Sequence, residues 1–386
     1  MGGNLLIVHG GGPTAVINAS LYGAIRQAQK SPRVDRVLAA IGGTGGLLRG
    51  DLRDLTDLPD RELRGLLSSP ASAIGTSRDA LEAPEYEAMV PILEKHNIRY
   101  VLMNGGNGTM DTCGKLYRRC KEKGIAVIGI PKTMDNDLAV TDHSPGFGSA
   151  ARYMAGSVAE VCCDVAGLPI HVVVVEALGR NAGWVTAASA LAADSYGHGP
   201  DLIYLPERDF CEEEFLADVE QLIRTKGHGV VVASEGLHYA GGTPIVKPVF
   251  TVGRSTYFGD VSAHLANLII RRLGCKARSE KPGILGRASI AWQSETDRRE
   301  AELCGRAAVD AATGGESGKM VALRRLPGPD YRCETFLADI DRVMMTECRM
   351  PDHFINARGN GVTEEFKAWC RPLIGSPLPR LMDLRG

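Results

Sequence analysis

A chain of 386 residues with a formal charge of -2 at pH 7 can bury a large core and exceeds the usual ceiling for a single one, so two lobes are expected. The near-neutral balance excludes a blanket basic surface, which argues against nucleic acid and anionic membrane as partners. The 10 cysteines include the adjacent Cys162 and Cys163 but no Cys-x-x-Cys and no His/Cys cluster at zinc spacing, so buried reduced thiols fit better than a disulfide framework or a structural metal.

The N-terminal MGGNLLIVHGGG lacks a charged n-region with a long apolar core, and Leu6 stands where a myristoylation signal needs Ser or Thr. No segment is apolar for long enough to span a bilayer, and a soluble cytoplasmic protein is expected. Along the chain, NLLIVHG, VDRVLAAIGG, IRYVLMNGG, IAVIGIPK, IHVVVVEALG and GVVVASEG are short, nearly continuous apolar runs, as strands buried on both faces of a parallel sheet read. Between them, AVINASLYGAIRQAQ, TMDTCGKLYRRCKEKG, SARYMAGSVAEVCCDVAG and CEEEFLADVEQLIRTKG carry helical patterns, several closing on glycine. This alternation predicts an α/β fold, with ligands at the carboxyl ends of the strands. Beyond about residue 285 the pattern predicts a helix-rich tail ending in the Pro-punctuated CRPLIGSPLPR.

Three glycine clusters follow strands and precede helices: Gly10 to Gly12, Gly42 to Gly46, and Gly105 to Gly108. Backbone amides in such turns converge on an anion and the helix dipole favours it, although each cluster alone also reads as a tight βα turn. Neither the Walker spacing nor Gly-x-Gly-x-x-Gly follows the first strand, which weakens an ordinary P-loop or a dinucleotide-binding oxidoreductase. The loop PKTMDNDL comes directly after a buried strand, with Pro131 ending the ladder and Lys132, Thr133, Asp135 and Asp137 crowding the ligand edge. One carboxylate can take a proton from an attacking hydroxyl while the other holds Mg²⁺ and the lysine balances phosphoryl charge. A solvated turn rich in Asp and Asn is the plainer alternative.

Six motifs in order, GGPTAVINAS, GTSR, PKTMDND, SPGFGSA, EALGRNAGWVTAASALA and VVASEGL, resemble the phosphofructokinase family, and the likeness runs from Gly10 to the tail VTEEFKAWCRPLIG. It looks closest to the branch that mixes ATP-dependent and pyrophosphate-dependent members. The resemblance implies two Rossmann-like lobes with mostly parallel sheets and an active site in the cleft between them. Residues 1–146 with roughly 286–345 would form the donor lobe, and 147–285 with roughly 346–386 the sugar-phosphate lobe. It further implies Mg²⁺ as cofactor, a homodimer or homotetramer, and a place in glycolysis.

Carried over by matched position, Asp135 is the base, Thr133 lies near the reacting groups, Lys132 adds a cation, and Asp137 sits near the metal and the acceptor. Arg78 of GTSR would contact the transferring phosphate, where a guanidinium stabilises charge spread over its oxygens. Gly11, Gly12, Gly106, Asn107, Gly108 and Thr109 would line the donor. On the acceptor side stand Leu178, Gly179 and Arg180 of ALGR, Glu235 of ASEG, and Arg278 and Arg287 as phosphate-holding arginines. His171 stands where many members place an arginine that reaches into a neighbouring subunit's site, and histidine is a poor replacement for a permanent bidentate cation. The family's commoner motif has a histidine and a glutamine shortly before the matched arginine, whereas this chain has Ile284 and Gly286.

The donor is argued from Gly108. Pyrophosphate users usually carry aspartate there, and a carboxylate would fill and repel the space of the α-phosphate of ATP. Glycine leaves it empty. Lys132 points toward pyrophosphate, yet a cation does not exclude ATP, so ATP is the expected donor. Asn107 replaces the aspartate that often binds Mg²⁺, offering only a neutral oxygen, so the metal would lean on Asp137 and the donor phosphates. The expected reaction is transfer of the terminal phosphate of ATP to the 1-hydroxyl of fructose 6-phosphate. Pyrophosphate as donor, a different sugar-phosphate or non-glycolytic acceptor, and a non-catalytic regulatory homologue stay open, the last supported by Asn107, Ile284 and Gly286.

Overall fold

The computed structural model describes residues 2–252 and 255–384, and the outer limits expected for the two lobes, at residues 1 and 386, lie outside that span. Two compact units emerge, Met1–Phe147 with Glu295–Cys348 and Gly148–Ser294 with Arg349–Gly386. The stretch 286–294 thus goes with the second unit instead of the first. Its contacts explain this: Gly286 lies against Leu178, and the Trp292 ring fills the space where a Cβ on Gly156 would be.

In chain order the first unit holds β1 (Gly3–His9), β2 (Val34–Ala40), β3 (Leu52–Asp54), β4 (Ile98–Gly105) and β5 (Ala126–Pro131). The second contains β6 (Val172–Ala177), β7 (Leu202–Tyr204), β8 (Gly229–Ser234), β9 (Pro248–Val252), β10 (Ser255–Phe258) and β11 (Ala277–Glu280). The chain then returns to the first unit for β12 (Lys319–Arg325) and β13 (Cys333–Asp339).

The first unit's sheet has the order β13-β12-β5-β4-β1-β2-β3. Its interior pairs are parallel, while β2–β3 and β12–β13 close the edges as antiparallel pairs. All seven residues of β1 are buried, with Leu6 and Val8 in one core and Leu5 and Ile7 in another. Alternate side chains of a strand point to opposite faces, so both faces are covered, and each such leucine or isoleucine contributes roughly 1.5–3 kcal/mol. Helices Ala83–Lys95 and Asn107–Cys120 cover one face through Met89, Leu93, Met110 and Leu116. Helices Ile17–Ala28 and Glu295–Gly314 cover the other through Leu21, Ile25, Cys304 and Val309. These last two approach so closely that a Cβ on Gly23 would lie 2.1 Å from the Glu302 carbonyl, and one on Gly305 2.0 Å from that of Ser20.

The second unit carries a parallel sheet of order β11-β6-β8-β7 and a separate antiparallel pair, β9 with β10. Phe215 and Val219 of helix Glu212–Lys226 and Leu265 and Ile269 of helix Val261–Leu273 pack against Val172, Val174 and Val231. Near the C-terminus, helix Glu364–Cys370 is capped by the Thr363 hydroxyl. Its Trp369 packs against Trp184, with ring centroids 4.9 Å apart and planes tilted by 43°.

The helix-rich tail is corrected. After helix Glu295–Gly314 come two strands, β12 and β13, because Met320 to Leu323 is a fully buried apolar run beside β5. Among the described residues no disulfide joins the cysteines, and no helix is long and apolar enough to cross a membrane.

Candidate active site

In the first unit the carboxyl ends of β1, β4 and β5 bring together the glycine loop, the start of helix Asn107–Cys120 and the Lys132–Gly146 loop. The Gly10 amide donates to the Asn104 carbonyl at 2.9 Å and the Gly11 amide to that of Ser77 at 3.0 Å. Gly11 adopts φ +75°, the left-handed region glycine tolerates best. Helix Asn107–Cys120 opens at Gly106 with no side-chain cap and no carboxylate in its first turn. The Thr109 amide turns back to the Gly106 carbonyl at 2.9 Å, which leaves the amides of Asn107 and Gly108 to face an anion that the helix dipole favours. Gly105 is required for this geometry, since a Cβ would lie 2.1 Å from the Thr109 hydroxyl. Around Gly108, by contrast, a Cβ would meet nothing within 4 Å.

The Gly42–Gly46 cluster does different work. A Cβ on Gly43 would lie 2.3 Å from the Ser77 hydroxyl, and one on Gly46 1.9 Å from the Ile41 carbonyl. These glycines permit close packing, so the tight-turn reading replaces the phosphate reading for this cluster. Thr44 and Ser77 both hydrogen-bond Asp79, which fixes the segment carrying Arg78. Arg78 itself is exposed and forms no ion pair among the described residues.

Lys132 is only 3 % exposed, and its ammonium donates to the Gly12 carbonyl. That cation sits against the glycine loop, where a donor phosphate would need it. Thr133 donates its amide to Pro145 at 3.1 Å, its hydroxyl accepts the Asp135 amide at 3.1 Å, and Asn136 at φ +55° turns the chain so that its Oδ1 accepts the Ser144 amide at 2.9 Å. The loop is thus closed on itself, with Asp135 and Asp137 half-buried.

Asn107 donates to Asp137 Oδ2 at 2.9 Å. The remaining Oδ1 atoms of both residues are buried with no hydrogen-bond partner among the described residues. Burial raises the Asp137 carboxyl above its usual range, and Glu347 adds to the rise. Glu347 is brought close by the bridge from its segment to Leu138 and by the Cys348 amide donating to the Asp137 carbonyl. One orphaned amide oxygen and one orphaned carboxylate oxygen fit a hard, oxygen-preferring divalent cation, which would remove both penalties.

In the second unit, Gly179 adopts φ +122°, donates its amide to Glu235 Oε1 at 3.1 Å, and accepts the Ser234 hydroxyl at 2.7 Å. Leu178 lies 3.6 Å from where a Gly286 Cβ would be, so ALGR, ASEG and the Arg287 helix Leu285–Ala288 converge. Arg180 is exposed and lies 5.2 Å over the Phe258 ring. Ile284 is 69 % exposed, offering no polar grip beside Arg287.

His171 and Arg278 do not join this group. His171 precedes β6, and Arg278 pairs with Val173 near the same amino end. At roughly 3.3 Å per residue, Leu178 is about 20 Å further along the strand. His171 is buried with Nδ1 lacking a partner among the described residues, and burial, helped by Arg278, lowers its pKa.

The sequence reading missed His9, Asn136 and Glu347. His9 ends β1 with Nδ1 2.8 Å from the Ser72 hydroxyl and is pushed down to about 3 by burial and Lys132, so it stays neutral behind that cation. Its position at a strand end was the available signal; Glu347 carried none.

Comparison with known proteins agrees with this geometry. The family model for phosphofructokinase matches residues 4–312. A pyrophosphate–fructose 6-phosphate 1-phosphotransferase of Xanthomonas campestris pv. campestris (strain B100) is 38 % identical over 393 residues, covering 98 % of this chain and 93 % of the relative. A sulfofructose kinase of Alkalicoccus urumqiensis is 31 % identical over 95 % of this chain and 94 % of the relative. The crystal structure of a pyrophosphate-dependent phosphofructokinase from Marinobacter aquaeolei superposes with a TM-score of 0.88 at 35 % identity, covering 99 % of this chain and 96 % of that one. A match over most of the chain, together with the Lys132–Asp137 loop beside an uncapped helix, leaves one conclusion: the protein belongs to the phosphofructokinase family.

Proposed function

We propose that this protein transfers the terminal phosphate of ATP to the 1-hydroxyl of fructose 6-phosphate, with Asp135 as general base. The observation that supports the reading is the Lys132–Asp137 loop, whose Lys132 ammonium donates to the Gly12 carbonyl and whose Thr133 hydroxyl accepts the Asp135 amide, next to the uncapped start of helix Asn107–Cys120. Asp135 accepts the proton of the attacking hydroxyl, while Lys132, Arg78 and the amides of Gly106 to Gly108 hold the phosphoryl oxygens. Asn107 and Asp137 would hold Mg²⁺, which when bound supplies charge neutralisation at the donor phosphates. Leu178, Gly179, Arg180, Glu235 and Arg287 would position the sugar phosphate.

ATP is favoured over pyrophosphate by the open space at Gly108. A pyrophosphate reading is supported by the buried Lys132 and by the names of the relatives above. For the acceptor, the apolar Ile284 and the absent side chain at Gly286 weaken the grip on a dianion, so sulfofructose, a monoanionic analogue, belongs in the test beside fructose 6-phosphate. His171 and Arg278, remote from their own unit's acceptor group, suit a site completed by a second copy, in keeping with a cytoplasmic dimer or tetramer serving glycolysis. The test is a panel of both donors against several sugar phosphates, with Asp135→Ser as control. Transfer that survives loss of Asp135 would refute the mechanism, and nucleotide binding without transfer to any acceptor would favour a regulatory homologue.

A further inference from the structure

The loop bearing Asp135 and Asp137 is pinned from its returning arm. The Gly146 amide donates to Asp297 Oδ1 at 2.8 Å. His143, 2 % exposed, places Nδ1 2.8 Å from Asp142 Oδ1 and Nε2 2.7 Å from Glu300 Oε2. Asp297 and Glu300 both belong to helix Glu295–Gly314. Both ring nitrogens of His143 therefore face carboxylate oxygens. A neutral imidazole can donate from only one nitrogen and would turn a lone pair toward the other carboxylate, whereas an imidazolium satisfies both.

The groups facing this ring are Asp142, Glu300, Arg325, Tyr331 and Cys333. Arg325 lies 3.4 Å from Asp142 and 5.0 Å over the Tyr331 ring. The Tyr331 hydroxyl donates to Glu300 Oε1 at 2.6 Å. Burial opposes charge on His143, but Glu300 and Asp142 outweigh it and push the ring up to about 9. Burial and Glu300 together hold the Tyr331 hydroxyl and the Cys333 thiol in their neutral forms, with Cys333 pushed up to about 12. Two carboxylates and two cations then balance around a buried imidazole, with Asp142 and Arg325 reaching the surface side of the network.

We propose that His143 is a buried imidazolium and a positioning residue for phosphate transfer, clamping the returning arm of the catalytic loop to helix Glu295–Gly314. The link to chemistry is short: Ser144, the next residue, donates its amide to Asn136, which stands between the two aspartates. Slack at His143 therefore reaches Asp135, and small misplacement of a base costs turnover more than binding. His143, Glu300 and Cys333 also lie within 4.8 Å of one another. A metal there would need the Nε2 lone pair and a thiolate, which the hydrogen-bonded imidazolium denies it.

The activity part rests on the function proposed above, so the test begins with a measurement that does not. In ¹⁵N-labelled protein, with the signal assigned by its loss in His143→Gln, the His143 ring carries both protons at neutral pH. A single ring proton at neutral pH, or stoichiometric bound zinc in the purified chain, overturns the proposal. In kinetics, His143→Gln lowers kcat by about tenfold or more with both KM values within about twofold. Glu300→Gln, which keeps an amide for Tyr331, moves the alkaline limb of the kcat profile to lower pH. Unchanged kcat in folded His143→Gln, or an unmoved alkaline limb in Glu300→Gln, refutes the positioning role. If the unaltered protein transfers phosphate to no acceptor, the function proposed above fails and the positioning role with it. The ring protonation then still decides the clamp.

Discussion

Replacing Gly108 by aspartate tests the donor assignment at one atom's distance. A Cβ at this position meets nothing within 4 Å, and the residue is the second of helix Asn107–Cys120, so the new side chain starts into open space. Removing a helical glycine and adding a carboxylate near a helix N-terminus should stabilise the fold by about 0.5–1 kcal/mol. A carboxylate about 5 Å from an α-phosphate charge, at an effective dielectric constant of about 20, is repelled by about 3 kcal/mol. This corresponds to a loss on the order of a hundredfold in kcat/KM for ATP. Pyrophosphate consists only of the transferred phosphoryl group and the leaving phosphate, with nothing at the α position, so its kcat/KM should fall far less. Coupled assays with both donors, alongside melting curves, give the comparison directly. A folded Gly108→Asp protein whose ATP kcat/KM stays within threefold of the original would refute the reasoning, as would an equal loss with both donors.

Asn107→Asp supplies a second charged oxygen beside Asp137 at the proposed metal site and should lower the Mg²⁺ concentration for half-maximal activity by about tenfold. Because the new carboxylate would face Asp137, the variant should melt lower in chelator and gain more from Mg²⁺ than the original protein; a larger Mg²⁺ requirement would contradict the assignment. Gly305→Ala drives a methyl toward the Ser20 carbonyl, 2.0 Å away, and should destabilise the protein by about 3 kcal/mol or more in urea titrations. Gly314→Ala, where a Cβ meets nothing within 4 Å, should be neutral or stabilising by up to about 1 kcal/mol. Stability should also depend on His143. Its pKa rises from 6.5 to about 9 on folding, so its contribution is complete below 6.5 and is lost as pH climbs through about 9. The rise corresponds to roughly 3 kcal/mol, and denaturant midpoints between neutral pH and pH 10 should fall less steeply in His143→Gln.

Much of the molecule was legible before any coordinates. The six apolar runs are strands because continuous β-branched sequence buried on both faces has few other solutions, and β1, β2, β4, β5, β6 and β8 fall where those runs lie. The Lys132–Asp137 loop announced itself by chemistry concentrated after a strand. Local patterns failed where burial came from distant partners. The strands β12 and β13 were hidden in what reads as a helical tail, because their partner β5 lies far earlier in the chain. Gly42–Gly46 looked like a phosphate cradle because glycine needed for close packing and glycine needed for an anion are the same residue.

The sequence by itself determined the family, the alternating α/β architecture and the residues proposed to flank the transferred phosphate, since each is encoded in short contiguous stretches. Only the tertiary structure decided the environment of those residues. It joined Asn107 to Asp137 across 30 positions, drew Glu347 toward them, and set His143 against Glu300 across 157. Charge state and metal affinity depend on what surrounds a side chain in space, and that is settled by packing.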